Sequence, residues 1–180
     1  NYLELNAIEE AINAYHHVLQ ADPFNLEAHE GLAQCYALKG DADQARVELS
    51  WLVEMYSSND QPEQVARLAS RLVEFDPTEP DYYNLLVGAL MRLGDEDGAM
   101  LYQARFAELL EAQGRLPEAV DAYLTIEQSG RVDPEIALRT INALLTSRRF
   151  DEARDRAGMR LGELREMGDT ARVRALLMML

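Results

Sequence analysis

His29-Glu30 opens the pattern by which a helix holds zinc: two histidines one turn apart, with a glutamate between them as general base. The second histidine would have to be residue 33, which is Ala33, so the motif is not completed. His16 and His17 are adjacent and would point about 100° apart on a helix. With His29 the only other histidine, a three-ligand cluster would depend on distant packing, and surface or groove positions are expected for all three. Asp41-Ala42-Asp43 and Asp95-Glu96-Asp97-Gly98 resemble the start of calcium loops, yet their twelfth positions are Leu52 and Phe106, where a bidentate carboxylate is needed. In the first turn of a helix the same acids would complement the macrodipole and cap free N–H groups. No glycine-rich phosphate loop and no Gly-x-Ser-x-Gly elbow is present, and Cys35, the one cysteine, has no evident base near it in sequence. Cys35 is expected as a small buried side chain. The expectation is a non-enzymatic chain with no metal and no cofactor.

Composition narrows the partners. The 180 residues are 48% hydrophobic and 27% charged, enough apolar material for a sizeable core, and carry a formal charge of −15. Nucleic acid is a poor partner for a chain with 32 acidic and 17 basic residues, because phosphate binding needs a positive stripe. No run of eighteen apolar residues could span a membrane, and the cytoplasm is the expected compartment, with the periplasm reading the same. The bias of arginine over lysine suggests a bacterial source. Asn1 in place of a methionine, and the apolar ending Leu176-Leu177-Met178-Met179-Leu180, suggest a segment of a longer protein.

The elements that must position any site are repeated. Ile8 to Tyr15 followed by Asp22-Pro23 returns as Gln64-Val65-Ala66 followed by Asp76-Pro77, and Leu38-Lys39-Gly40-Asp41 with Ala45 returns as Arg92-Leu93-Gly94-Asp95 with Ala99. Both registers are shifted by 54 residues, and a looser copy follows at Asp133-Pro134 and Phe150-Asp151-Glu152-Ala153. Apolar residues step by three and four within each copy, which is the stripe of an amphipathic helix. Gly40, Gly94 and Gly114 are expected as left-handed helix ends, and Pro62, Pro117 and Pro134 as helix starts. The breaks predict about ten helices, over 3–21, 25–39, 42–58, 62–75, 79–93, 96–113, 117–128, 134–147, 151–167 and 170–180.

On these residues the chain resembles the tetratricopeptide repeat family, whose unit is a helix-turn-helix of about 34 residues. With position 1 at Leu26, the residues His29, Leu32, Ala33, Tyr36, Gly40, Ala45, Leu49 and Leu52 fall on the signature sites. A start at Pro80 places Tyr83, Leu86, Val87, Leu90, Gly94 and Ala99 there; a start at Met100 places Phe106, Ala107, Leu110, Gly114, Ala119, Tyr123 and Ile126. The helices at 42–58 and 96–113 fit two roles, second helix of one unit and first of the next. The resemblance implies an all-α fold, a right-handed superhelical solenoid of stacked antiparallel helix pairs forming one domain over 1–180, with a concave groove for a partner.

It also implies a lining for that groove: Glu27, Glu30, Gln34 and Ala37, then Asp81, Asn84, Gly88 and Met91, and in the overlapping units Ser50, Glu54, Ala104, Glu108 and Glu111. Of these, Glu27, Glu30, Glu54, Glu108 and Glu111 are expected to steer the partner into the groove, with the lone Trp51 as an aromatic anchor. Residues 1–100 hold 19 acidic and 5 basic side chains, whereas residues 101–180 hold 13 and 12, so the field comes from the N-terminal half. The expected function is a protein-interaction scaffold or adaptor taking a basic or amphipathic partner. A sensor of a peptide or small ligand is the alternative. A homodimer through Val173, Leu176, Leu177 and Leu180 is a further expectation.

Overall fold

Helix ends are set by the expected residues. In a computed structural model, which describes residues 2–128 and 134–179, Gly40, Gly94 and Gly114 end helices with φ of 83°, 75° and 75°, and Gly168 does the same at 73°. Asp133 of the third repeat copy and Leu180 of the apolar ending lie outside the described residues. Pro62 and Pro134 open helices at the position where the missing N–H costs nothing, while Pro117 stands second, after Leu116. The acid pairs act as caps: Asp41 Oδ1 accepts from the Gln44 N–H at 3.3 Å, and Asp95 Oδ1 from the Gly98 N–H at 2.9 Å.

Ten helices and no strand are present among the described residues, divided between two compact units. Residues 1–99 hold α1 (Tyr2–Ala21), α2 (Leu26–Lys39), α3 (Ala42–Ser58), α4 (Pro62–Phe75) and α5 (Pro80–Leu93). Residues 100–180 hold most of α6 (Glu96–Ala112), then α7 (Leu116–Gln128), α8 (Pro134–Thr146), α9 (Phe150–Glu166) and α10 (Thr170–Met179). The fold is all-α, as expected, and each helix begins and ends within a residue of its expected place.

Within the first unit each helix packs on the next in sequence, and ion pairs join helices two apart. Glu30 of α2 meets Arg67 of α4 at 2.9 Å, and Asp60, just after α3, meets Arg92 of α5. Helices α2 and α4 are therefore neighbours in one layer, and α3 and α5 in the other. The core between the layers is Ala33, Leu49, Leu52, Val53, Val65, Leu68, Leu72 and Ala89, with Ile12, Leu32 and Cys35 continuing it toward α1. Burying one such leucine contributes about 1.5–3 kcal/mol.

The second unit is built alike. Glu108 of α6 pairs with Arg139 of α8 at 3.2 Å, and Asp121 and Glu127 of α7 pair with Arg149 and Arg156 at the start and middle of α9. Ile141, Ala157, Leu164 and Leu176 form a core toward α10.

Candidate functional site

The layering decides which of the expected lining residues can act together. On α2 the exposed strip is Glu27, Gln34 and Leu38; on α3 it is Asp43, Val47, Ser50 and Glu54; on α5 it is Asp81, Asn84, Leu85, Gly88 and Met91. Because α3 and α5 share a layer, the exposed residues Ser50, Glu54, Asp81, Asn84 and Met91 belong to one layer. Glu27 and Gln34 lie on the outward face of the opposite layer. Glu108 and Glu111 belong to the second unit, and Ala37 and Ala104 are half-buried.

Three of the expected steering acids already have partners. Glu30 accepts from the Tyr56 hydroxyl at 2.8 Å and from Arg67. Glu108 is paired with Arg139, and Glu111 Oε2 accepts from the Tyr123 hydroxyl at 3.1 Å. The two units thus repeat one device: an acid on the first helix, a tyrosine hydroxyl on the second, and an arginine on the third. Burial, followed by the Glu111 charge, pushes the fully buried Tyr123 phenol up to about 12, against a hydrogen bond from Arg139 that acts the other way. Burial and the hydrogen bond to Glu30 likewise raise the Tyr56 phenol.

Trp51 is half-buried and packs against the core of the first unit. Its ring stacks on His29, with centroids 3.7 Å apart and planes at 25°, and Phe24 lies 6.5 Å away. His29 Nδ1 is 2.6 Å from Glu48 Oε2, and Nε2 is 3.1 Å from the Pro23 carbonyl oxygen, so the ring is fixed from both ends. His16 reaches the Tyr36 hydroxyl at 3.1 Å. Among the described residues no group of three His, Cys, Asp or Glu side chains could hold a metal ion. Burial raises the Cys35 thiol, which sits in the core as expected.

In the first unit four of the five basic side chains are committed internally: Lys39 to Glu9 at 3.2 Å, Arg46 to Asp43 at 3.0 Å and Asp76 at 3.5 Å, Arg67 to Glu30, and Arg92 to Asp60. These arginines were the residues missed at the sequence level. Their signal was present, since acid and arginine stand 28 to 37 residues apart in four of the pairs, Asp121–Arg149, Glu127–Arg156, Glu108–Arg139 and Glu30–Arg67, close to one two-helix repeat. Glu27, Glu54 and Asp81 remain exposed with no ion pair among the described residues.

Two tetratricopeptide repeat family models match the chain, one over residues 2–54 and the other over 104–160. The chain belongs to the tetratricopeptide repeat family. The first match falls inside the first unit and the second inside the second unit, so both halves carry the repeat. Similar solved structures include the nearly identical TPR-like repeats of a candidate kinesin light chain from Podosopora anserina, at 15% identity, covering 98% of this chain and 90% of that one, with a TM-score of 0.45. MamA is 18% identical, with 90% of this chain and 91% of that one covered and a TM-score of 0.34. Pseudomonas aeruginosa pilF is 16% identical, with 98% and 91% covered and a TM-score of 0.35. No curated protein matches the chain. Tetratricopeptide repeats are in general protein-interaction scaffolds, and this chain is a scaffold in that general sense. No described helix is long and apolar enough to cross a membrane.

Proposed function

We propose that the chain is a scaffold whose first unit receives a basic, amphipathic segment of a partner protein on the outward face of α3 and α5. The observation that carries the reading is the commitment of four of the unit's five basic side chains to internal pairs, which leaves its surplus of acids to act outward. The exposed strips of α3 and α5 that carry Glu54 and Asp81 also carry apolar side chains, Val47 at 59% and Met91 at 58% of full exposure. Charges of one sign around an apolar strip favour a partner helix with leucine-like anchors and lysine or arginine flanks. The acids speed encounter and fix orientation; the apolar strip supplies the area removed from water.

The opposite face provides the control. Glu54→Arg/Asp81→Arg and Glu27→Arg/Glu63→Arg make the same change in charge on the two layers, at exposed positions. Affinity capture from source-cell extract, read by mass spectrometry, is expected to lose its dominant protein with the first pair and retain it with the second. Loss with the second pair alone would move the site to the layer of α2 and α4, and equal loss with both would reduce the effect to net charge.

A further inference from the structure

The second unit carries a surface of different character. One cavity of about 230 Å³ lies between α8 and α9, against Ala137, Leu138, Leu164 and Met167, and another of about 350 Å³ lies between α9 and α10, against Leu164, Val173 and Leu177. Leu164 is common to both, so the two form neighbouring apolar pockets on either side of the end of α9. Met167 and Leu177 are exposed by 63% and 52%, and Met178 by 80%. Leu176, one of the residues expected to dock a second copy, is instead fully buried in the core and unavailable to a partner.

The pocket between α9 and α10 has a cationic rim, whereas the charges at the pocket between α8 and α9 are paired. Arg160 is held by Glu163 at 2.5 Å, and Arg172, on α10 beyond the rim, is held by Asp169 at 2.7 Å. Arg165 and Arg174, which line the pocket between α9 and α10, are exposed and have no ion pair among the described residues. In a chain whose net charge is −15, two uncommitted arginines beside an apolar pocket are a local reversal of sign.

We infer that this surface docks an acidic amphipathic helix of a partner protein, with one apolar anchor in each pocket and carboxylates on Arg165 and Arg174. Grooves on the two sides of a helix are about one interaxial distance apart, roughly 8–10 Å. At about 1.5 Å per residue that spacing is spanned by anchors at i and i+7, which share one helix face. Arg165 and Arg174 select an acidic segment over a basic one, the reverse of the preference argued for the first unit. The two surfaces stand on different residues and fail or hold separately.

The test is fluorescence anisotropy with a labelled helical peptide of about fourteen residues, leucine at positions i and i+7 and glutamate on the flanks, against the same peptide with lysine for glutamate. The glutamate peptide is expected to bind the intact chain at least tenfold more tightly than the lysine peptide, and to weaken as salt rises. Arg165→Glu/Arg174→Glu is expected to lose that tenfold preference or reverse it. Leu177→Asp, at an exposed position, is expected to weaken binding about tenfold with the circular dichroism spectrum and melting temperature unchanged. Equal binding of the two peptides, or unchanged binding by the arginine variant, overturns the inference. So does a concentration-dependent doubling of mass in light scattering that Leu177→Asp abolishes, because the face would then belong to a second copy.

Discussion

Replacing Tyr123 by phenylalanine isolates the device that both units share. The Tyr123 side chain is fully buried, and its hydroxyl bonds two charged groups, donating to Glu111 at 3.1 Å and accepting from Arg139. Hydrogen bonds to charged partners contribute about 1.5–3 kcal/mol each. Arg139 keeps other partners after the change, Glu108 at 3.2 Å and Glu135 at 3.4 Å, and Glu111, only half-buried, stays open to water. The expected net loss is therefore near the value for one bond, about 2 kcal/mol. With a urea slope of about 2 kcal/mol per molar, the unfolding midpoint should fall by about 1 M. A second readout follows from the phenol. Its ionisation lies at about 12 in the fold and near 10 in the unfolded chain, so between those values the native state keeps a proton that the unfolded state has lost. Stability then falls as pH rises, by about 1.4 kcal/mol at pH 11, and Tyr123→Phe is spared that loss. The midpoint gap between the two proteins should shrink by more than half from pH 8 to pH 11. Equal midpoints at pH 8, or a gap that stays constant to pH 11, would refute the reasoning.

Two glycines inside helices should respond in opposite directions. A Cβ on Gly31 would land in the ring of half-buried Tyr15, so Gly31→Ala should cost about 1–3 kcal/mol, whereas a Cβ on Gly88 meets nothing and Gly88→Ala should gain about 0.5–1 kcal/mol; urea midpoints check both. Leu68, fully buried at the centre of the first unit's core, should cost about 2–5 kcal/mol as Leu68→Ala, read by amide exchange as lost protection across α2 to α5. Gly40→Ala should cost about 1 kcal/mol because residue 40 holds φ at 83°, measured as a lower melting temperature.

The helices were legible because their ends obey local chemistry: a proline that sacrifices no bond at the start, a glycine that escapes the left-handed penalty at the end. Even so, Asp60 at φ 57° and Arg148 at φ 62° make left-handed turns without glycine; Pro62 still marked the first boundary, and the repeat copy at Phe150 the second. The layers were not legible. The 54-residue shift spans three helices, so α2 and α5, which read alike, stand an odd number of helices apart and fall in opposite layers. Glu27 and Asp81, equivalent in sequence, consequently face away from each other. Nor does composition show which acids are neutralised. Glu30 and Glu54 look interchangeable on a helical wheel, yet α4 brings Arg67 to the first, while the second remains without an ion pair among the described residues. Nor does the sequence show that the Trp51 ring stacks on His29 with Phe24 close by.

The measurement that tests the scaffold reading most directly is isothermal titration of the chain with a basic amphipathic helical peptide, at about 0.05 M and about 0.5 M salt. Native protein is expected to bind at low salt and lose at least tenfold at high salt. Glu54→Arg/Asp81→Arg should abolish the low-salt binding, while Glu27→Arg/Glu63→Arg leaves it within a few-fold. Binding that ignores salt, or that survives charge reversal on α3 and α5, would contradict the assignment of the site to that face.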